Sequence, residues 1–233
     1  MALVNQVESG KAGAQQSSAA KQNDVTAIDI LLDPDATMIQ HATTANARLL
    51  KNFPKGYTLG GAHAPHISVL QRYVKTANLD QVYAAADKVF ASENPTGWKL
   101  TAFKYYYIPA KPIGLGGIVI KPTPDLLRLQ QKLIDAVTPF TVPTGTAAAF
   151  VTTPQDPDII PQAIQYIAAF VPEHSGDHYA PHVTIGIGTI DFLNSMVAAP
   201  FEDFTFSPVG ASVYHLGNYG TAMKKLHSIP LKH

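Results

Sequence analysis

Residues Ala64-Pro65-His66-Ile67-Ser68-Val69 return, with conservative changes, as Ala180-Pro181-His182-Val183-Thr184-Ile185. Both copies read Ala-Pro-His-aliphatic-hydroxyl-aliphatic, and 116 residues, about half of the 233-residue chain, separate their histidines. Each copy opens a β-branched, aliphatic run that reads as a strand, and each follows a loop containing Gly or Ser. Side chains alternate along a strand, so His66 and Ser68 face one way and Ile67 and Val69 the other. The second copy sorts His182 and Thr184 from Val183 and Ile185 in the same manner. Each strand then buries its aliphatic face and presents an imidazole and a hydroxyl. Two lobes packed about a pseudo-two-fold axis would bring both pairs into one central cleft.

Such a cleft suits phosphodiester cleavage. Imidazole titrates near neutrality, so one ring can be a neutral base while the other is a charged acid. In-line attack at phosphorus puts the nucleophile and the leaving group on opposite sides, which calls for a base on one side and an acid on the other. Hydroxyls can donate to the non-bridging oxygens as charge builds. The scheme makes His66 and His182 the catalytic pair and Ser68 and Thr184 the phosphate binders, and it calls for no metal and no cofactor. A lone His-x-Ser strand is weak support for this chemistry. Two copies in matching six-residue contexts are much stronger.

The remaining sequence alternates strands with helices. Strands are expected at 26–32, 65–74, 98–108, 118–121, 181–187, 203–216 and 221–229, and helices at 35–52, 78–92, 159–170 and 190–198. A further helix starts near Pro124, with Leu126, Leu127, Leu129, Leu133, Ile134 and Val137 as its apolar positions. Residues 109–117, with Gly114, Gly116 and Gly117, read as a hairpin loop. Residues 139–157 and 173–179 read as irregular connections. The order predicts an α+β fold of mostly antiparallel sheets with flanking helices, not a doubly wound parallel sheet.

Charge narrows the ligand. Lys+Arg and Asp+Glu both number 17, and charged residues are only 15% of the chain, against roughly 25% in an average globular protein. A protein gripping duplex nucleic acid usually carries a basic excess. The expected partner is therefore a small nucleotide or cyclic phosphate, or an RNA end. There are no cysteines, which excludes thiolate catalysis and disulfides. No apolar run is long enough to span a membrane. Residues 1–24, rich in Ala, Gln, Ser, Gly and Lys, read as a disordered leader ahead of a single domain over 25–233. A soluble, cytoplasmic protein is expected, or an exported one if a signal peptide has been removed. The oligomeric state cannot be read from the sequence.

The paired motifs His66-Ile67-Ser68 and His182-Val183-Thr184 resemble those of the two-histidine (2H) phosphoesterase superfamily, which includes RNA 2′,5′-ligase-like proteins and cyclic phosphodiesterases. The resemblance covers the chain from about residue 25 to the end. It implies a bilobal α+β fold with the motifs facing each other across a cleft, and 2′,3′-cyclic phosphates or related nucleotide phosphodiesters as substrates. It also implies histidines acting as the acid/base pair and hydroxyls binding phosphate.

Further candidates flank the motifs. Arg72 lies six residues after His66, so an unbulged strand would keep it on the same face, within reach of a phosphate. The alternative is a strand-end surface charge. Tyr105 and Tyr107 share a strand face that could stack on a base, although packing between strands is the commoner use of such a face. His63, His174 and His178 are expected at the cleft mouth, His178 as a substrate contact. Two alternatives keep the same cleft: a nucleotide-binding module without turnover, and an RNA-end ligase or cyclic-phosphate processor. A third, a metal site drawn from His63, His66, His174, His178 and His182, is weakened because neither hexapeptide contains a carboxylate.

Overall fold

Strand β1 (Val25–Pro34) is buried along nearly its whole length, and between Ala27 and Leu32 only Asp29 interrupts its apolar run. A strand of that composition belongs in the middle of a sheet, and β1 has a neighbour on each side. The computed structural model describes residues 24–61, 63–154 and 156–231. Apart from Asp24, the leader expected over 1–24 lies outside the described residues.

Helix α1 (Ala36–Asn52) follows, started by Asp35, whose carboxylate accepts the Thr37 and Met38 N–H groups. The chain continues through β2 (Ile67–Lys75), α2 (Leu79–Phe90), β3 (Leu100–Ala110), β4 (Ile113–Ile120), α3 (Pro124–Val137) and β5 (Thr141–Val142). It ends with α4 (Pro161–His174), β6 (His182–Thr189), α5 (Ile190–Ala198), β7 (Phe204–Phe206), β8 (Pro208–Leu216) and β9 (Ala222–Ser228).

Two wholly antiparallel sheets result, ordered β5-β2-β1-β8-β9 and β6-β4-β3-β7. This is the expected α+β architecture, with one motif in each sheet: His66 stands just before β2 and His182 opens β6. The sheets are not consecutive halves of the chain, because the first takes strands from both ends and the second from the middle. One apolar core joins them, reaching from Ile28 and Leu70 through Leu133 to Ile118, Val183 and Leu193.

Several expected boundaries move, and the connection expected over 139–157 contains the short strand β5. The hairpin loop over 109–117 shrinks to Lys111 and Pro112, and its glycines lie within β4. They are there for space: a Cβ on Gly117 would sit 2.4 Å from Cε1 of Tyr106, and one on Gly114 2.8 Å from Cδ1 of Leu193. The strand expected over 203–216 is two strands in different sheets. Pro208 has no N–H to continue a ladder, and the Ser207 N–H is drawn to Asp35 Oδ2 at 2.8 Å. Helix α4 runs on to His174, with Pro172 inside its last turn, and so shortens the loop expected at 173–179.

Candidate active site

The two motifs share a backbone device as well as a sequence. Strand β2 pairs Ser68 with Leu31 and Leu70 with Ile30, which leaves Val69 as a bulged extra residue. Strand β6 pairs Thr184 with Gly117 and Gly186 with Gly116, which leaves Ile185 bulged. The bulge falls both times on the last residue of the hexapeptide. A buried side-chain amide caps each bulge: Gln130 Nε2 on α3 donates to the Val69 carbonyl at 3.1 Å, and Asn46 Nδ2 on α1 donates to the Ile185 carbonyl at 2.9 Å. Each amide also holds the loop leading to the opposite motif. Gln130 Oε1 accepts the Gly176 N–H at 3.0 Å, and Asn46 Oδ1 accepts the Leu59 N–H at 3.1 Å. The correspondence between the two motifs thus extends into the hydrogen bonds.

The histidines are held alike. His66 Nδ1 lies 2.7 Å from the Ala64 carbonyl, and His182 Nδ1 lies 2.9 Å from the Ala180 carbonyl. A carbonyl can only accept, so each Nδ1 carries a proton and Nε2 is left for chemistry. Both rings line one cleft, together with Ser68, Gln71 and Thr184. Helix α4 supplies a wall through Gln162, Ala163 and Tyr166, and the end of β3 supplies another. A smaller cavity beside it shares Ser68, Tyr166 and His182. Among the described residues, no Lys or Arg lines either cavity.

The electrostatics of the two rings differ. Burial pushes the His66 pKa down, but the nearby carboxylate of Asp29 outweighs it, so the net shift is upward from the ordinary value. Burial also lowers the His182 pKa, and there the net shift stays downward, with the positive charge of His66 adding to it. Asp29 is fully buried on β1; its Oδ2 lies 3.5 Å from His66 Nε2 and accepts from Ser68 Oγ at 2.5 Å and from Gln71 Nε2 at 2.8 Å. The Ser68 hydroxyl is therefore committed to Asp29 and does not stand free for phosphate. The Thr184 hydroxyl has no hydrogen-bond partner among the described residues and is free to donate. Asp29 and Gln71 are absent from the sequence reading of the site. The available signal was a carboxylate inside the aliphatic run of β1.

Of the other candidates, Arg72 does not reach the cleft. The Val69 bulge reverses the alternation, so Gln71 shares the face of Ser68 while Arg72 turns away and donates to Thr141 Oγ1 at 2.9 Å. Tyr105 and Tyr107 also miss it. Tyr105 packs its ring on Phe201, and the Tyr107 hydroxyl donates to Asn194 at 2.7 Å. The intervening Tyr106 takes the site face, with its ring 4.9 Å from that of His182 in an edge-to-face contact. His178 lines the smaller cavity with His174, whose ring stacks on Tyr166. His63 stacks on Tyr57. Among the described residues no three His, Asp or Glu side chains are grouped to hold a metal ion, and no helix is long and apolar enough to cross a membrane.

No family model matches the sequence, and no curated protein matches it. Solved structures do. TT0787 of Thermus thermophilus superposes with a TM-score of 0.53 at 13% identity, covering 89% of this chain and 100% of that one. E. coli LigT complexed with phosphate gives 0.48 at 14% identity, covering 91% and 100%. A structure described as a phosphoesterase gives 0.47 at 13% identity, covering 89% and 99%. At these identities the likeness is one of fold.

Proposed function

We propose that this chain, an α+β fold of two antiparallel sheets with paired histidine motifs resembling those of the two-histidine phosphoesterases, is a metal-independent phosphodiesterase that opens 2′,3′-cyclic phosphates or cleaves small nucleotide phosphodiesters. One observation carries the reading: two imidazoles, each with Nδ1 tied to the carbonyl two residues before it, face a single cleft. One Nε2 takes the proton of the attacking water, and the other gives a proton to the departing oxygen. The Thr184 hydroxyl donates to a non-bridging oxygen as negative charge accumulates. In a cavity closed by α4, such a donor counts for more than it does in water.

The charge of the cleft bears on the substrate. A cyclic phosphodiester carries one negative charge, the smallest anionic load a phosphate ester can bring to a cleft whose His66 already faces Asp29. A phosphomonoester or polyphosphate brings more charge into a cleft that no Lys or Arg lines among the described residues. The test is to incubate the purified protein with 2′,3′-cyclic AMP in EDTA and to resolve the products by chromatography. The expected product is one AMP isomer, 2′ or 3′. No product from this compound, or from 2′,5′ and 3′,5′ dinucleotides, would overturn the proposal.

A further inference from the structure

The two halves of the site correspond residue for residue. With the bulges aligned, Ser68 matches Thr184 and Gln71 matches Ile187; across each ladder, Leu31 matches Gly117 and Asp29 matches Leu115. At the last pair of positions the chemistry diverges. The first half holds a carboxylate and an amide where the second holds two aliphatic side chains.

We propose that Asp29 is a positioning residue that breaks the symmetry of the cleft: it holds His66 as the proton donor and so leaves His182 to act as the base. The inference rests on the phosphodiesterase reading above. Its first support is the price of placing Asp29 there. A fully buried carboxylate is costly even when paired, and Asp29 Oδ1 has no hydrogen-bond partner among the described residues. The architecture does not require a charge at this place, since Leu115 fills the equivalent position on β4. The second support is geometry. Asp29 Oδ2 is 3.5 Å from His66 Nε2, close enough to favour the imidazolium while leaving the ring on the cleft wall. Ser68 and Gln71 hold the same oxygen in place. Among the described residues, the titratable groups around His66 are Asp29 and Asp33 from β1, His182 from β6, Tyr166 from α4, Tyr219 from the turn before β9, and Tyr57 and His63 from the loop before β2. Of these, Asp29 and Asp33 favour a protonated His66.

For a 2′,3′-cyclic phosphate the step balances as follows. Water forms a new bond to phosphorus and yields one proton to His182 Nε2. The ring P–O bond on the far side breaks, and its oxygen takes the proton of His66 Nε2. A phosphomonoester with a free neighbouring hydroxyl results, and solvent returns the proton from His182 to His66.

The test is nuclear magnetic resonance titration of the imidazole C–H signals, joined to pH–rate profiles for the unaltered protein and Asp29→Asn. In the unaltered protein His66 should titrate above His182; the reverse order would overturn the proposal without any variant having to fold. In Asp29→Asn the His66 titration should move to lower pH. The alkaline limb of kcat/KM should follow it, giving about a tenfold loss near pH 8 and little change at the acidic limb. An unmoved His66 titration in the folded variant would also overturn it. If the unaltered protein turned over no phosphodiester, the phosphodiesterase reading would fall, while the titration would still report whether Asp29 governs His66.

Discussion

Asn46 and Gln130 do the same work on opposite sides of the molecule: each donates its amide N–H to the carbonyl of a bulged residue one position past a motif hydroxyl, Ile185 for Asn46 and Val69 for Gln130. Both are buried, and each also grips the loop before the other motif. Removing either amide strands the buried carbonyl of a bulged residue and frees the loop before the other motif. Asn46→Ala and Gln130→Ala should each cost about 2–4 kcal/mol, seen as a Tm lower by roughly 5–15 °C in a chain of this size. Thermal denaturation by circular dichroism reads this directly, and losses within about 0.5 kcal/mol, as for an ordinary surface change, would show that the bulges hold themselves.

The bulge at Val69 also sorts two neighbouring side chains. Gln71 lines the cleft and donates to Ser68 at 3.1 Å, whereas Arg72 is turned toward Thr141. Gln71→Ala should therefore lower kcat/KM by about tenfold or more, an amount of the order of one lost hydrogen bond to a charged group. Arg72→Ala should leave it close to the unaltered value. Steady-state kinetics on 2′,3′-cyclic AMP decides the matter, and the opposite ranking would mean that the bulge does not set the face.

What the sequence could and could not convey follows from the range of each effect. The hexapeptides are local patterns, and strand alternation was enough to put His66, Ser68, His182 and Thr184 on one cleft. The antiparallel α+β class was legible from the order of runs. A bulge leaves no such mark, because Val69 and Ile185 look like ordinary strand residues; alternation counted through Val69 put Arg72 on the wrong face. The glycines of β4 read as a turn, although they make room for Tyr106, the cross-strand partner of Gly117, and for Leu193, which is distant in the chain. Asp29 was passed over because a single charge in an apolar run acquires meaning only beside His66, which comes from another strand.

Activity should trace a bell against pH. Turnover requires His182 neutral and His66 charged. The rate rises as pH passes upward through the His182 pKa, which burial and the neighbouring imidazolium hold below the ordinary histidine value. It falls as pH passes through the His66 pKa, which Asp29 lifts above that value against the effect of burial. The maximum should bracket about pH 6.5, the ordinary histidine value. A flat kcat/KM between about pH 5 and 8 would contradict paired histidines.

Gly117 offers an indirect handle on His182. Its missing side chain makes room for the ring of Tyr106, which in turn meets His182 edge to face. Gly117→Ala forces Cβ to within 2.4 Å of that ring, so Tyr106 must move. Overpacking of this kind costs about 1–3 kcal/mol. The variant should also lose turnover beyond what its folded fraction explains, whereas Gly97→Ala, whose Cβ would approach only Asn94 and no closer than 3.4 Å, should not. Activity measured well below the Tm of each protein separates the two effects.

The most direct measurement is kcat/KM for 2′,3′-cyclic AMP, in EDTA, of His66→Ala and His182→Ala beside the unaltered protein, with each variant first shown to be folded. Both should fall by about 10²-fold or more, the usual contribution of one general acid or base. Turnover at the unaltered rate in either variant would contradict the claim that the two imidazoles work on one phosphorus.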